Sequence, residues 1–376
     1  MRIAYVSTYP PIECGIATYT DFLVKAMART PNELHVISQN GAMGEHVHGV
    51  YDPESGSIAH SIFNMTVKFT PDIIHIQHEF GLYGEFDGIA VLDLIYRFKS
   101  TKTPVVTTFH TVIPKPDYRK KMIVEVMCRE LDAIIVHESS HVDLLKEVYG
   151  ADSSKICLIP HGARTITPAQ DAKAKLNLEN KKVILLVGYF RPTKCFDRIV
   201  DIYPRILEKC PEAWLVVSGK MRGLEYSEYR NTLFQKIADS SAQDRIEVFR
   251  GQFPQNTFDT IISASDVMVF PYSAGAQSGV MAHAFAFGKP VVTSDLPAFK
   301  NAMNESDCGF SAATDDDYVN RISELLNDKE LYDRCSANAT RYVREKISWD
   351  IIAQKTLEVY KRFDVNYPRS RYIYEG

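Results

Sequence analysis

Two cations in one short turn, Arg191 and Lys194, are the side chains of this sequence best suited to bind a diphosphate. They lie in residues 188–194 (GYFRPTK), which follow an apolar run and precede a helical pattern that starts near Phe196. The N-terminus of a helix carries a partial positive charge of its own, so cations placed there suit an anionic group. The pattern predicts a diphosphate-binding turn. The alternative is that both side chains are solvated surface charges.

Two loops with glycines and other small residues are further candidates for binding a phosphate or a sugar. Residues 7–16 (STYPPIECGI) place Gly15 just before a helical pattern that begins at Ala17, where backbone N–H groups can approach a ligand closely. Taken alone, this loop is equally compatible with an ordinary turn. Residues 271–280 (PYSAGAQSGV) place small residues where another helix begins, so backbone amides there can reach an anion.

Histidines follow two of the predicted strands in the first half of the chain. His78 and Glu79 lie in residues 77–84 (QHEFGLYG), and His110 lies in residues 108–111 (TFHT). Parallel sheets bind ligands beyond the carboxyl ends of their strands, which is where these residues are expected. A lone histidine is more often a structural hydrogen-bonding residue, but its position favours a functional role for His110.

Residues 137–141 (HESSH) match the H-E-x-x-H pattern of zinc proteases, and His161 could supply a third ligand. That site requires both histidines on one face of a helix. Here His137 ends an apolar strand-like run, and Ser139 or Ser140 is the expected N-cap of the following helix. The two imidazoles should therefore not share a helical face, and we expect no metal site.

Short apolar, β-branched runs alternate with longer segments of helical period, which predicts parallel sheets covered by helices. In the first half these runs are residues 2–7, 33–38, 72–77, 104–109, 132–137 and 155–160, and in the second half 183–190, 213–219, 245–251, 266–272 and 289–295. A polar stretch at 163–182 interrupts the pattern. We therefore predict domains at 1–165 and 166–347, followed by an amphipathic closing helix and tail at 348–376.

Composition bounds the class of protein. The chain has 376 residues, a length that suits two domains, and 45% of them are hydrophobic. The formal net charge of -4 provides no global attraction to nucleic acid. No signal-peptide pattern or membrane-spanning run is evident, and the seven cysteines form no C-x-x-C pair. We expect a cytoplasmic protein with reduced thiols.

Several longer segments resemble the retaining GT-B glycosyltransferases of family 4, also called glycosyl transferases group 1. The segments are STYPPIECGIATYT, TFHT, IPHG, GYFRPTKCFD, VFRG and VFPYSAGAQSGVMAHAFAFGKPVVTSD. The resemblance runs almost end to end. It implies an α/β protein of GT-B architecture, with two Rossmann-like parallel-sheet domains facing across a cleft and a C-terminal helix that closes back on the N-terminal domain.

The resemblance also implies an activity and a set of site residues. A sugar would move with retention from a nucleoside diphosphate sugar to a carbohydrate or lipid-linked acceptor, as in polysaccharide biosynthesis, without a metal or other cofactor. The C-terminal domain would bind the donor and the N-terminal domain the acceptor. The implied catalytic residues are His110, Arg191 and Lys194; the donor phosphate and sugar residues are Gly15, Gln277, Ser278, Gly279 and Val280; the nucleoside residues are Arg250, Gly251, Phe253 and His283; and the acceptor-side residues are His78 and Glu79.

The sequence departs from the family at three positions. Tyr189 stands where the family has an arginine, which makes Arg191 a displaced substitute. Gly275 and His283 stand where the family has two glutamates, of which the first contacts the donor sugar and the second the ribose. The missing glutamates leave open a weak or inactive protein that only binds sugar nucleotides. A separate alternative is another enzyme of the same fold, a sugar-nucleotide epimerase or a phosphorylase-like enzyme. The basic segment 115–121 (KPDYRKK) suggests peripheral contact with a membrane, although a solvated helix start explains it equally well.

Overall fold

The computed structural model describes residues 1–220, 226–251, 253–275 and 279–363. Contacts divide the chain into two compact units. The first contains Met1–Pro160 and the segment that begins at Trp349, and the second is His161–Ser348. The division therefore falls after residue 160, where we had predicted 165, and after residue 348, where we had predicted 347.

The first unit is built on a parallel sheet. Its strands are β1 Arg2–Val6, β2 Glu33–Gln39, β3 Val47–Tyr51, β4 Ile73–His78, β5 Val105–Phe109, β6 Ala133–Val136 and β7 Ile156–Leu158. Their spatial order is β3-β2-β1-β4-β5-β6-β7. The inner strands β4 and β5 are buried along their whole length, because helices cover both faces of such a sheet.

A second parallel sheet forms the core of the other unit. Its strands are β8 Lys182–Tyr189, β9 Ala213–Lys220, β10 Ile246–Arg250, β11 Val267–Phe270, β12 Val291–Ser294 and β13 Gly309–Ala312, in the order β10-β9-β8-β11-β12-β13. The two sheets confirm the predicted Rossmann-like architecture. Sequence patterns missed β3 and β13, because each lies at a sheet edge, is only partly buried and lacks a continuous apolar run.

Helices connect the strands of both sheets. In the first unit they are α1 Gly15–Met27, α2 Ile58–Thr66, the short α3 Glu85–Gly88, α4 Ala90–Ser100, α5 Tyr118–Glu130 and α6 Ser139–Glu147. In the second they are the short α7 Ala172–Lys175, α8 Phe196–Lys209, α9 Ser227–Asp239, α10 Gln255–Ala264, α11 Gly279–Ala286, α12 Pro297–Ser306, α13 Asp315–Asn327 and α14 Lys329–Tyr342. α1 begins at Gly15, two positions before the predicted Ala17.

The last described helix, α15 (Trp349–Lys361), packs on the first unit, as predicted for a C-terminal helix that closes back. The Trp349 ring meets the Tyr19 ring of α1 edge-on, with centroids 5.0 Å apart. The buried Tyr360 hydroxyl donates to the Tyr5 hydroxyl at 3.2 Å and is hydrogen-bonded to His75 Nδ1 in β4. This polar contact inside an apolar core fixes the register of α15 on the sheet.

We expect Tyr360→Phe to lower the free energy of unfolding by about 1–3 kcal/mol, because the buried Tyr5 and His75 would lose their hydrogen bonds to the Tyr360 hydroxyl. Urea unfolding followed by circular dichroism measures the change. Tyr118→Phe is the matched control, since that side chain is 87% exposed, and it should have no effect. Equal stability of the two variants would contradict a role for the Tyr360 hydroxyl in docking α15.

Candidate active site

Four basic residues lie at the carboxyl edge of the second sheet, at the ends of neighbouring strands. β8 ends at Tyr189 and runs into the turn that carries Arg191 and Lys194. β9 ends at Lys220, which is in register with Tyr189, and β10 ends at Arg250, which is in register with Gly219. Because these strands are parallel neighbours, their carboxyl ends lie side by side. Sequence reasoning did not single out Lys220. Its position directly after an apolar run was the sequence feature that could have identified it.

Aromatic rings hold these cations. Lys194 Nζ lies 3.5 Å from the centroid of the Tyr272 ring. The guanidinium of Arg191 and the ammonium of Lys220 approach the Tyr189 ring at 5.7 and 5.4 Å. Arg250 lies 5.0 Å from the Phe234 ring. Within the described ranges, no carboxylate forms an ion pair with Arg191, Lys194 or Arg250.

The electrostatic state of Lys194 follows from this environment. Burial, with a smaller effect from the neighbouring charge of Arg191, lowers the pKa of Lys194 to about 7. The charged form of a cation that is desolvated and faces another cation is strongly stabilised when an anion binds beside it. An anion bound at this turn would therefore be stabilised by both cations, and the diphosphate expected there stays a prediction.

The residues that the resemblance assigns to the nucleoside lie in two places of the second unit. Arg250, the last residue of β10, and the following Gly251 are exposed, and Phe253 is partly buried near them. His283 lies in α11 with its ring 5.5 Å from that of Phe258. Burial, followed by the nearby Arg164 and His161, lowers the pKa of His283 to about 3. His283 is therefore neutral at pH 7 and retains one N–H donor and one acceptor nitrogen.

The start of α11 belongs to the expected phosphate cradle. Gly279 and Val280 form its first turn, whereas Gln277 and Ser278 lie outside the described residues. The imidazole of His161 adjoins this helix start, since a Cβ added at Gly279 would lie 3.5 Å from its Nε2. His161, in the IPHG segment, was considered in the sequence only as a zinc ligand, and its place beside α11 emerges from the fold.

In the first unit, a series of hydrogen bonds connects α15 to His110. The Nε2 of His110 is 2.8 Å from Gln77 Oε1. The amide nitrogen of Gln77 faces His75 Nε2 at 3.3 Å, and His75 Nδ1 meets Tyr360. A carbonyl oxygen only accepts, so the proton of neutral His110 is on Nε2. Gln77, which sequence reasoning left without a role, thus orients His110 from inside β4.

Gly15 and Glu79 lie at the same carboxyl edge as His110. Gly15 is exposed at the first turn of α1, and a Cβ there would meet no atom within 4 Å, so the space before it is open. Glu79 is partly buried. Its carboxylate accepts hydrogen bonds from the Phe80 N–H at 3.0 Å and from the Thr111 hydroxyl at 2.5 Å. Glu79 is therefore held in place, with its side chain still reaching the surface.

His78 occupies a different environment from its neighbour Glu79. It has no exposed surface, and its ring lies between those of Phe80 and Phe109, with centroids 5.2 and 5.0 Å away. Neither ring nitrogen has a hydrogen-bond partner among the described residues. Burial lowers the pKa of His78 to about 3. This position corrects our expectation, because an acceptor at the surface cannot reach the side chain.

The H-E-x-x-H segment is not arranged as a zinc-protease site. His137 precedes α6, where its Nδ1 donates to the Ile159 carbonyl at 2.8 Å, and His141 lies inside the helix. The N-cap of α6 is Glu138, one residue before the predicted serine. Among the described residues, no group of three or more His, Cys, Asp or Glu side chains could hold a metal ion.

Two family models match consecutive parts of the chain. Glycosyltransferase Family 4 matches residues 14–165, and Glycosyl transferases group 1 matches residues 169–342. The chain belongs to the glycosyl transferases group 1 family. It is therefore a glycosyltransferase by family.

Individual relatives agree with this assignment. The chain is 22% identical to phosphatidyl-myo-inositol mannosyltransferase of Mycobacterium leprae over 96% of both proteins. It is 25% identical to D-inositol 3-phosphate glycosyltransferase of Rhodococcus jostii over 70% of this chain and 62% of that protein.

Solved structures share the fold. Anabaena HepE in complex with UDP and glucose superimposes with a TM-score of 0.74 at 16% identity, covering 96% of this chain and 100% of that one. Sucrose-phosphate synthase from Thermosynechococcus elongatus has a TM-score of 0.77 at 18% identity, covering 96% and 98%. These likenesses confirm the GT-B fold of this glycosyltransferase.

The basic segment 115–121 is largely neutralised in the structure. Asp117 caps α5 by accepting from the Lys120 N–H at 3.0 Å. The Lys120 ammonium pairs with Asp87 and Asp117, and Arg119 also pairs with Asp87. These acids weaken the attraction of the segment to an anionic surface. In the ranges that the structure describes, no helix is both long and apolar enough to cross a membrane.

The burial of His78 predicts a pH dependence of stability. Its pKa is about 3 when folded, below the ordinary value of 6.5, so the unfolded chain binds more protons between these pH values. Stability is thus fully present above pH 6.5 and is lost as the pH falls toward 3. In this range His78 lowers the free energy of unfolding by up to about 1.4 kcal/mol for each pH unit of acidification, and we expect His78→Leu to remove this dependence.

Urea unfolding of both proteins at several pH values between 4 and 7 measures this difference. His60→Leu is the control, because His60 is exposed on α2, and it should retain the wild-type dependence on pH. A His78→Leu protein that loses stability with acid as steeply as the wild type would show that His78 is not the buried neutral group described here.

Proposed function

We propose that this glycosyltransferase transfers a sugar, with retention at the anomeric carbon, from a nucleoside diphosphate sugar to a carbohydrate or lipid-linked acceptor. The observation that carries the proposal is the set of cations at the carboxyl edge of the second sheet, of which Arg191, Lys194 and Arg250 have no carboxylate partner in the described ranges. Arg191 and Lys194 are partly removed from water, so an anion would stabilise them, and a diphosphate offers negative charge to two cations in one turn.

The relatives support the same chemistry. HepE was crystallised with UDP and glucose, and the mannosyltransferase and glycosyltransferase relatives are named for acceptors that contain inositol, one of them a phosphatidyl lipid. We therefore propose that the second unit binds the donor and the first unit binds the acceptor. Arg250, Gly251, Phe253 and His283 contribute to the nucleoside site, and Glu79 contributes to the acceptor site.

Stabilisation of the leaving group is the main catalytic effect in this proposal. The bond between the anomeric carbon and the diphosphate oxygen breaks, and a bond from the acceptor oxygen to that carbon forms on the same face. Negative charge grows on the diphosphate, where Lys194 and Arg191 are already in place. The acceptor hydroxyl gives its proton to the departing diphosphate. His110, oriented by Gln77, contacts the transferred sugar.

A thermal-shift screen of nucleoside diphosphate sugars identifies the donor, because a ligand that binds the folded state raises its stability. Transfer is then measured by the release of nucleoside diphosphate with inositol-containing and other carbohydrate acceptors. A protein that is stabilised by a sugar nucleotide but neither transfers nor hydrolyses it would be a sugar-nucleotide-binding protein instead. Inversion of the anomeric configuration in the product would contradict retention.

We expect Lys194→Met to lower kcat on the order of 100-fold or more, since the contact of Lys194 with the diphosphate strengthens as the diphosphate leaves.

The same substitution should raise stability at low pH, because it removes a desolvated cation. The folded-state pKa of Lys194 lies below its ordinary 10.5, so wild-type stability rises with pH between about 7 and 10.5. Lys194→Met should therefore melt at a higher temperature than the wild type at pH 6.

Steady-state kinetics and calorimetry test both expectations. Lys329→Met is the control, because Lys329 is exposed and pairs with Asp333 on the surface, and it should leave both quantities unchanged. Wild-type turnover in Lys194→Met would remove the basis of the proposed mechanism.

We expect transfer to persist in a strong chelator, because we propose that side-chain cations and helix N-termini neutralise the diphosphate in place of a metal. The measurement is turnover after dialysis against EDTA, with and without added Mg²⁺, Mn²⁺ or Zn²⁺. Activity that disappears in EDTA and returns with one of these ions would show that the reaction depends on a metal.

A further inference from the structure

A second aromatic residue beside the turn of Lys194 is fixed there by the backbone. Tyr272 follows β11, and the next residue, Ser273, donates its N–H to the Thr193 carbonyl at 3.1 Å. This hydrogen bond joins the loop after β11 to the turn after β8, directly beside Lys194. The Tyr272 ring is only 4% exposed and packs against Phe270 and Phe299, with centroids 5.7 and 5.4 Å away. Its position is therefore set by packing as well as by the backbone.

We infer that Tyr272 is a positioning residue whose ring holds the Lys194 ammonium at the donor edge without an anionic partner, so that a diphosphate meets a free cation. The inference rests on the proposed function of Lys194. A cation is attracted to the negative face of an aromatic ring, and the 3.5 Å approach of Nζ to the Tyr272 centroid lies well within the range of this attraction.

A ring serves this purpose better than a carboxylate would. An aspartate or glutamate at the place of Tyr272 would form a buried ion pair with Lys194, and the diphosphate would then have to displace it and face its charge. The ring carries no net charge, so it orients the ammonium and leaves it able to pair with the ligand. Arg198, elsewhere in this unit, shows the other arrangement, because it lies over the Tyr318 ring at 4.8 Å but also pairs with Asp315 at 2.6 Å.

The same arrangement couples diphosphate binding to a proton. Among the described residues, Arg191 faces Lys194 from its own turn, Gly188 from β8 and Tyr272 from the loop after β11, and of these Arg191 is charged. Lys220 and Arg250 lie further along the same edge. Without ligand, burial lowers the pKa of Lys194 to about 7, and a bound diphosphate favours the protonated form. Binding above pH 7 therefore takes up a proton, and affinity falls as the pH rises.

The experiment measures the binding of inorganic pyrophosphate by isothermal titration calorimetry at pH 6, 7 and 8 in buffers with different heats of ionisation. Pyrophosphate contains the diphosphate and no base or sugar, so the result does not depend on which donor is used. For the wild type we expect uptake of close to one proton at pH 8, and affinity that weakens by up to about 10-fold between pH 7 and 8. Lys194→Met should take up none beyond the ionisation of pyrophosphate itself.

Three ring variants separate positioning from packing. Tyr272→Phe keeps the ring and should keep the wild-type affinity and proton uptake. Tyr272→Leu loses the ring and should bind pyrophosphate at least about 10-fold more weakly at pH 8, in line with the loss of a desolvated cation–π contact. Tyr318→Leu removes another buried ring that lies under a cation, and it should lose stability but not affinity. Melting curves of all variants establish that they are folded.

A folded Tyr272→Leu protein with wild-type affinity and proton uptake would overturn the inference, and so would a Tyr272→Phe protein as weak as Tyr272→Leu, because the hydroxyl would then be the group that matters. These outcomes leave the proposed function intact if wild-type pyrophosphate binding still depends on Lys194. Failure of the wild type to bind pyrophosphate and every nucleoside diphosphate sugar would instead contradict the proposed function.

Discussion

The cost of removing a cation from water, without a carboxylate to compensate for it, is the constraint on which the candidate active site depends. Lys194 is mostly buried, faces Arg191 and contacts the ring of Tyr272, and its lowered pKa records this cost. Much of the second unit serves to maintain the arrangement. β8 carries the turn, β11 carries the ring, and the hydrogen bond from Ser273 to Thr193 keeps the two together. An anion relieves the cost, which is why the site selects a diphosphate in our proposal.

In the first unit, a series of hydrogen bonds between neutral side chains positions His110. From Tyr5 through Tyr360, His75 and Gln77 to His110, each member has a donor or acceptor matched to the next. Burial lowers the pKa of His75 to about 3, which keeps it neutral and preserves the order of donors. These hydrogen bonds tie α15 to a residue at the carboxyl edge of the sheet. Docking of α15 and orientation of His110 are thus parts of one network.

The structure shows the surroundings of the three residues that depart from the family pattern. Tyr189, in the place of an arginine, carries Arg191 and Lys220 against its ring, so positive charge remains at this edge although its source has moved. Gly275 is exposed at a positive φ of 133°, and a Cβ there would meet no atom within 4 Å. His283 lies among Phe258, Arg164 and Asp259 and stays neutral. A neutral imidazole can hydrogen-bond a ribose hydroxyl, but it cannot supply the charge of a glutamate.

The sequence by itself determined the two parallel sheets, their inner strands and the edge at which the candidate site residues lie. Inner strands of a parallel sheet are buried on both faces, so they require continuous apolar runs, and the polar residues that follow such runs must lie at the carboxyl edge. Arg191, Lys194, Glu79 and His110 were placed at this edge in this way, and the structure has them there. The edge strands β3 and β13 were missed, because pairing on one side only and partial burial require no such run.

Only the tertiary structure decided what each of these residues contacts. Tyr272 is distant from Lys194 in sequence and reaches it because β11 is the neighbour of β8 in the sheet. His78 and Glu79 are adjacent, yet one is enclosed by Phe80 and Phe109 while the other reaches the surface. Desolvation and the choice of partner depend on atoms brought together from separate strands, and a local pattern of residues contains no information about that arrangement.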